Sequence, residues 1–88
     1  MVLTDLPNIG DELEQCLLEA GISSVDELQR IGSIEAAIRI SPYRPDASAC
    51  RNALCALEGA LRGVRWHSIP KPDRDELWQQ YQLLIKEL

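Results

Sequence analysis

Three arginines, Arg51, Arg62 and Arg65, run up to an aromatic pair, Trp66 and His67, in the second half of this chain. Guanidinium groups in such company can meet an acidic protein surface or a nucleic-acid backbone. Three charges are few for strong nucleic-acid affinity, because each neutralised phosphate contributes only part of the salt-dependent binding. Cys16, Cys50 and Cys55 are the candidate nucleophiles and metal ligands. Cys50 and Cys55 lie five apart, which is about 140° around a helix. His67 is the one histidine available to join them. No spacing places a nucleophile beside a base. The chemistry to expect is therefore non-enzymatic, with no catalytic residues, no cofactor and no metal. Reduced and mostly buried thiols follow from the same reading. On a helical wheel Cys55 falls beside Arg51 and Arg62, which would lower a thiol pKa and permit a redox-sensing role.

A second motif comes earlier. Leu6-Pro7-Asn8-Ile9-Gly10 is a tight turn, followed by a helical stretch, Gly21-Ile22 and a capped second helix. This succession resembles a helix-hairpin-helix unit, whose nucleic-acid-binding versions hold a phosphate on the turn's N–H groups and the following helix N-terminus. Here Asp11 and Glu12 come next, and two carboxylates repel phosphate at that point. Residues 1–38 hold eight acids against Arg30, whereas residues 39–74 hold seven bases against three acids. A net charge of −5 thus hides an acidic front and a mildly basic back, which bears on partners rather than on fold.

The elements that must carry these residues read as helices throughout. Phe is absent and the apolar residues are mostly Leu, Ile and Ala, which favours helix over strand. Leu3 and Leu6 can reach the core from an opening too short for much structure. Asn8 is a plausible N-cap for a first helix with Ile9, Leu13, Cys16, Leu17 and Ala20 inward, stopped by Gly21 in a left-handed conformation. Ser24-Val25-Asp26-Glu27 reads as a capping box for a second helix with Val25, Leu28 and Ile31 inward. Gly32 ends it, and Ser33 caps a third helix carrying Ile34, Ala37 and Ile38. Pro42 and Pro45 bracket a loop, with Asp46 the next cap. In residues 47–64 one arc of a central helix holds Cys50, Ala53, Leu54, Leu57, Ala60, Leu61 and Val64. A second arc holds only Ala49, Asn52, Ala56, Gly59 and Gly63, so a neighbouring helix is expected against Gly59 and Gly63. The remaining stripe of Arg51, Cys55, Glu58, Arg62 and Arg65 is expected to face solvent, with Glu58 and Arg62 paired at i,i+4. Ser68 caps a last helix near Pro70, with Leu77, Trp78, Tyr81, Leu84, Ile85 and Leu88 inward. Trp66 reads as core. The fold class is all-α, about five short helices in a single domain over residues 1–88: a hairpin-like front half packed on a central and a C-terminal helix.

Two stretches together resemble one family. They are Leu6-Pro-Asn-Ile-Gly, Leu17-Leu-Glu-Ala-Gly-Ile22 and Leu28 to Gly32, and then Ala53-Leu-Cys-Ala-Leu-Glu-Gly-Ala-Leu-Arg-Gly63 with Trp66 and Ile69-Pro70. The pair resembles the C-terminal domain of TfoX/Sxy regulators of natural competence, over roughly residues 3–86. That resemblance implies a link to transcriptional control of DNA-uptake genes, exerted with another DNA-bound activator. Such regulators carry an N-terminal domain not represented in these residues, so a free-standing relative is one expectation. The first functional reading is a cytoplasmic regulatory domain, a monomer or weak dimer. Its partner would be another protein, a transcription regulator, met through Arg51, Arg62 and Arg65; no membrane is involved. The rival is direct, weak nucleic-acid binding.

Overall fold

The computed structural model describes residues 2–43 and 47–86, and the side chains of 47–50 lie outside that description. Four α-helices follow in order: α1 Asp11–Glu19, α2 Val25–Ile40, α3 Ala47–Arg62 and α4 Lys71–Lys86. A short 3-10 turn at Leu3–Asp5 precedes them, others at Ser41–Tyr43 and Trp66–Ser68 lie between α2 and α3 and between α3 and α4, and no strand occurs among the described residues. The opening segment is thus ordered enough to form a turn, and it buries Leu3. Asp46, Cys50 and Leu88 lie outside the described side chains, so the expectations placed on them stay with the sequence.

α1 is capped by Gly10, not by Asn8. Asn8 sits at φ 70°, a left-handed conformation that Asn tolerates better than most residues. It turns the chain two residues ahead of the Gly10 cap. At the other end Gly21, at φ 84°, closes a Schellman motif in which Ile22 N–H reaches Leu17 O at 2.8 Å and Gly21 N–H reaches Leu18 O at 3.0 Å. Ile22 then drops into the core.

Ser24 caps α2 by accepting from Glu27 N–H at 3.1 Å. The reciprocal half of the box is displaced by one residue, because the Glu27 carboxylate accepts from Ser23 N–H. Gly32 breaks the helix, as read from sequence, at φ 82° and ψ 170°. The chain then resumes at once, so α2 is one element with two arms. Counting those arms separately gives five helical pieces. Ser33 does not act as the expected cap: its hydroxyl donates to Glu58 Oε1 at 2.7 Å, across to α3.

α2 and α3 form the principal helix pair. Leu28 of α2 and Leu54 and Leu57 of α3 are fully buried, as is Leu17 of α1, and Ala36, Ala37, Ala53 and Ala60 are buried with them. Leu61, Leu77 and Trp78 pack on this core from its margin. α3 ends in a second Schellman motif, with Gly63 at φ 75° and Val64 N–H bonded to Gly59 O at 2.9 Å. This turn carries Val64 out of the inward arc, and it is exposed.

Ser68 belongs to a 3-10 turn, and the first helical bond of α4 runs from Arg74 N–H to Pro70 O. Tyr81 is the deepest side chain of α4. Beyond it the expected stripe leaves the core: Leu84 and Ile85 are 44% and 40% exposed, and Leu83, which lay outside that stripe, is 62% exposed. Sixteen residues make a rod of about 24 Å, and the core beneath stops short of its end.

Candidate interaction surface

The three arginines do not gather into one patch. Arg51 Nη2 lies 3.1 Å from Asp75 Oδ1, and its guanidinium stands 5.8 Å from the ring centre of Trp78. Arg62 Nε meets Glu58 Oε2 at 2.7 Å in the expected i,i+4 pair, and its Nη1 also reaches Asp73 Oδ2 at 3.3 Å. The Glu58 hydrogen bond, more than any other contact, pushes the Arg62 pKa above its already high usual value. Ser33, Glu58, Arg62 and Asp73 therefore link α2, α3 and α4 in one polar chain. Asp73 and Asp75 are the residues that the sequence reading missed. Their signal was a pair of acids near the start of α4, Asp73 in its first turn and Asp75 just beyond, opposite a basic stripe. Arg65 stands apart, exposed and without an ion pair among the described residues.

α4 also covers Cys55, which is buried rather than solvent-facing. Burial raises its thiol pKa, and the opposing pull of Arg51 and Arg74 does not reverse the shift. A thiol held protonated is a poor nucleophile at neutral pH. Cys16 is half-buried.

The front turn is tied to the end of α3 by Asn8. Its Nδ2 donates to Val64 O at 2.9 Å and to Ala56 O at 3.4 Å, and its Oδ1 accepts from Trp66 N–H at 3.1 Å. Gly59 makes room for this strut. A Cβ there would stand 2.6 Å from Asn8 Nδ2, 2.8 Å from Val64 O and 3.3 Å from Trp66 Cα. The close neighbour of Gly59 is thus a turn and not a helix. Gly63 faces no neighbour within 4 Å and serves as the helix stop.

Beside the strut opens a groove of about 560 Å³. Leu13, Ala53 and Ala56 form its apolar part, Asp11 and Glu12 enter from the start of α1, and Arg65 and Trp66 from the segment after α3. Trp66 is 37% exposed instead of core, because its ring stacks on His67 at 4.3 Å and under the Arg74 guanidinium at 5.5 Å. Among the described residues no helix is long and apolar enough to cross a membrane.

These features define an all-α domain whose hairpin-like front is strapped to the end of a central helix. The family model described as the TfoX C-terminal domain matches residues 1–81, and the chain belongs to that family. It is 32% identical over 79 residues to the DNA transformation protein TfoX1 of Aliivibrio fischeri, covering 89% of this chain and 37% of that protein. The chain thus spans a little over a third of that relative. The crystal structure of an uncharacterized protein from Listeria monocytogenes superposes with a TM-score of 0.84 at 43% identity, covering 96% of this chain and 93% of the other. A protein of unknown function from the same organism superposes with a TM-score of 0.81 at 44% identity, covering 93% and 98%.

Proposed function

We propose that this chain is a non-enzymatic, cytoplasmic regulatory domain that binds another protein and acts in the control of DNA-uptake genes. Membership of the TfoX C-terminal family, with a relative named as a DNA transformation protein, supports the biological setting. The observation that carries the choice of a protein partner is the fate of the arginines. Arg51 and Arg62 are occupied by Asp75 and Asp73 of α4, and the turn that would hold phosphate opens onto Asp11 and Glu12. Direct nucleic-acid reading is left with Arg65 at the groove and few other free cations near it. Such a surface contributes little of the counterion release on which backbone binding depends.

The test is affinity capture on the immobilised chain from the cytoplasm of its source cell, with and without nuclease. A protein retained equally after nuclease treatment is the expected result. Capture that vanishes with nuclease overturns the reading in favour of a direct nucleic-acid binder.

A further inference from the structure

α4 is sixteen residues long, yet Tyr81 is its one buried side chain. α2, of equal length, buries Val25, Leu28, Ser33, Ala36, Ala37 and Ile40. Leu77 and Trp78 reach only the margin of the core, and Leu83, Leu84 and Ile85 lie beyond it. Two ion pairs, Arg51–Asp75 and Arg62–Asp73, join α4 to α3 through side chains between 39% and 46% exposed. Pairs so open to water contribute little stability and are screened by salt. Arg74 Nε donates to Ile69 O at 3.1 Å, a contact to the connecting segment and not to α3. That segment is itself fixed, because Ile69 is buried and Trp66 N–H is held by Asn8. Beneath α4 lies the buried Cys55, near enough to Arg74 and Asp75 to feel their charges.

We propose that α4 is a releasable strap, which leaves α3 as one unit from Pro70 onward while α1, α2 and α3 stay folded. An asymmetry in burial decides which part moves. Leu17, Leu28, Leu54 and Leu57 are fully buried and belong to the other three helices, so parting those helices exposes several large side chains at once. Releasing α4 exposes chiefly Tyr81, the partly buried Leu77 and Trp78, and Cys55. Regions held by few buried apolar contacts open at a lower free energy than the whole fold. Once free, α4 has little to keep it helical, since isolated helices of up to about 15 residues are marginal in water even when rich in Ala. The closed strap keeps Asp75 and Asp73 on Arg51 and Arg62. Release takes those carboxylates away, so the two guanidinium groups and the Cys55 thiol become available together. One helix thereby controls a surface that the closed form keeps occupied. The inference goes beyond the proposed regulatory role and does not depend on it.

Two measurements on the full chain test this together. Alkylation by dilute iodoacetamide, with Cys55 resolved from Cys16 and Cys50 by peptide mass, reports opening above the thiol. Amide hydrogen exchange reports α4 at Tyr81 and the core at Leu57. Protection of Cys55, taken relative to a free cysteine peptide, should match that of the Tyr81 amide and lie at least tenfold below that of Leu57. Urea should lower Cys55 protection with the shallower slope, because release exposes less surface than unfolding. Ile22→Val, a small deletion in the core, should lower Leu57 protection about two- to tenfold and leave Cys55 unchanged, since the site stays packed when only α4 opens. Combining Asp73→Asn with Asp75→Asn should lower Cys55 protection about two- to thirtyfold, the range for two exposed ion pairs. Equal protection of Cys55 and Leu57, falling together in Ile22→Val, would make the chain one cooperative unit and overturn the proposal. So would rapid alkylation of Cys55 beneath a Tyr81 amide as protected as Leu57, or Cys55 protection that the paired Asp substitutions leave unchanged.

Discussion

Asn8 and Val64, 56 positions apart in sequence, are joined by a 2.9 Å hydrogen bond from the Asn8 side-chain amide to the Val64 carbonyl. The same amide group also serves Ala56 O and Trp66 N–H. One side chain thereby fixes the front turn against the exit of α3 and shapes a wall of the groove. Asn8→Ala deletes all three contacts and puts a residue less tolerant of φ 70° at the turn. The expected loss is about 1.5–4.5 kcal/mol, from three hydrogen bonds each contributing about 0.5–1.5 kcal/mol. Asn8→Gly removes the same contacts without the backbone strain and should cost less. Urea denaturation measures both, and an Asn8→Ala variant as stable as the parent would show that the strut carries no energy.

Gly59 is the counterpart of that strut. Replacing a helical Gly by Ala ordinarily gains about 1 kcal/mol. Here the added methyl would press on Asn8 Nδ2 and, less avoidably, on the backbone carbonyl of Val64 at 2.8 Å. Overpacking should win, and Gly59→Ala should lose about 1–3 kcal/mol. Because both residues shape one contact, the Asn8→Ala and Gly59→Ala losses should combine to less than their sum. Thermal melts of the two single variants and the double variant decide this, and strict additivity would break the argument.

Leu57 and Leu84 both fall on stripes that sequence periodicity points inward, yet one is fully buried and the other 44% exposed. Leu57→Ala should cost about 2–5 kcal/mol, a large share of the stability of a domain this small. Leu84→Ala, measured on dilute protein, should stay within about 0.5 kcal/mol of the parent. Equal losses in a chemical melt would place the end of α4 inside the core after all.

That contrast shows which parts of the fold were legible. Gly21, Gly32 and Ser24 announced themselves because helix termination and capping are settled by a few adjacent residues, whereas Gly63, read as a packing position, turned out to be a helix stop. The Glu58–Arg62 pair was equally local. A helical wheel, however, gives direction around an axis and nothing about how far the neighbouring layer extends. Leu84 and Ile85 therefore looked buried, and Cys55 looked exposed until α4 covered it. The partners of Arg51 and Arg62 were hidden for the same reason. Asp73 and Asp75 meet them only once α4 folds back on α3, and no spacing rule reaches across that return. Asn8 was read as a cap since its three partners lie 48 to 58 positions away.

Cys55 gives the fold an alkaline limit. Burial raises its pKa above the ordinary 9.0. Between the unfolded and folded values the unfolded chain has already released the thiol proton while the folded chain retains it. Stability must then fall as pH rises, by the proton-linkage relation. The contribution is fully present below the unfolded value and is lost as pH climbs through the folded one. Urea titrations from neutral pH to above that of an ordinary thiol should show this decline. Cys55→Ala should shift the whole curve but flatten its alkaline slope. An unchanged slope in that variant would assign the decline to other groups.

The last prediction concerns nucleic acid. Binding of duplex DNA by the chain should be weak, non-specific and lost by physiological salt, because Asp11 and Glu12 occupy the approach to the turn. Arg65, which has no ion pair among the described residues, should dominate whatever remains, with Arg51 and Arg62 held back by Asp75 and Asp73. Each phosphate contact removed flattens the dependence of log affinity on log salt by about 0.9. In fluorescence anisotropy, Arg65→Gln should therefore lower that slope by about one contact. Arg51→Gln and Arg62→Gln should change it less. Replacing Asp11 and Glu12 together by Lys should strengthen binding, since the backbone of the turn is intact and only its charge forbids phosphate. Tight, sequence-selective binding by the unmodified chain at physiological salt would contradict the argument and make the domain a direct reader of DNA.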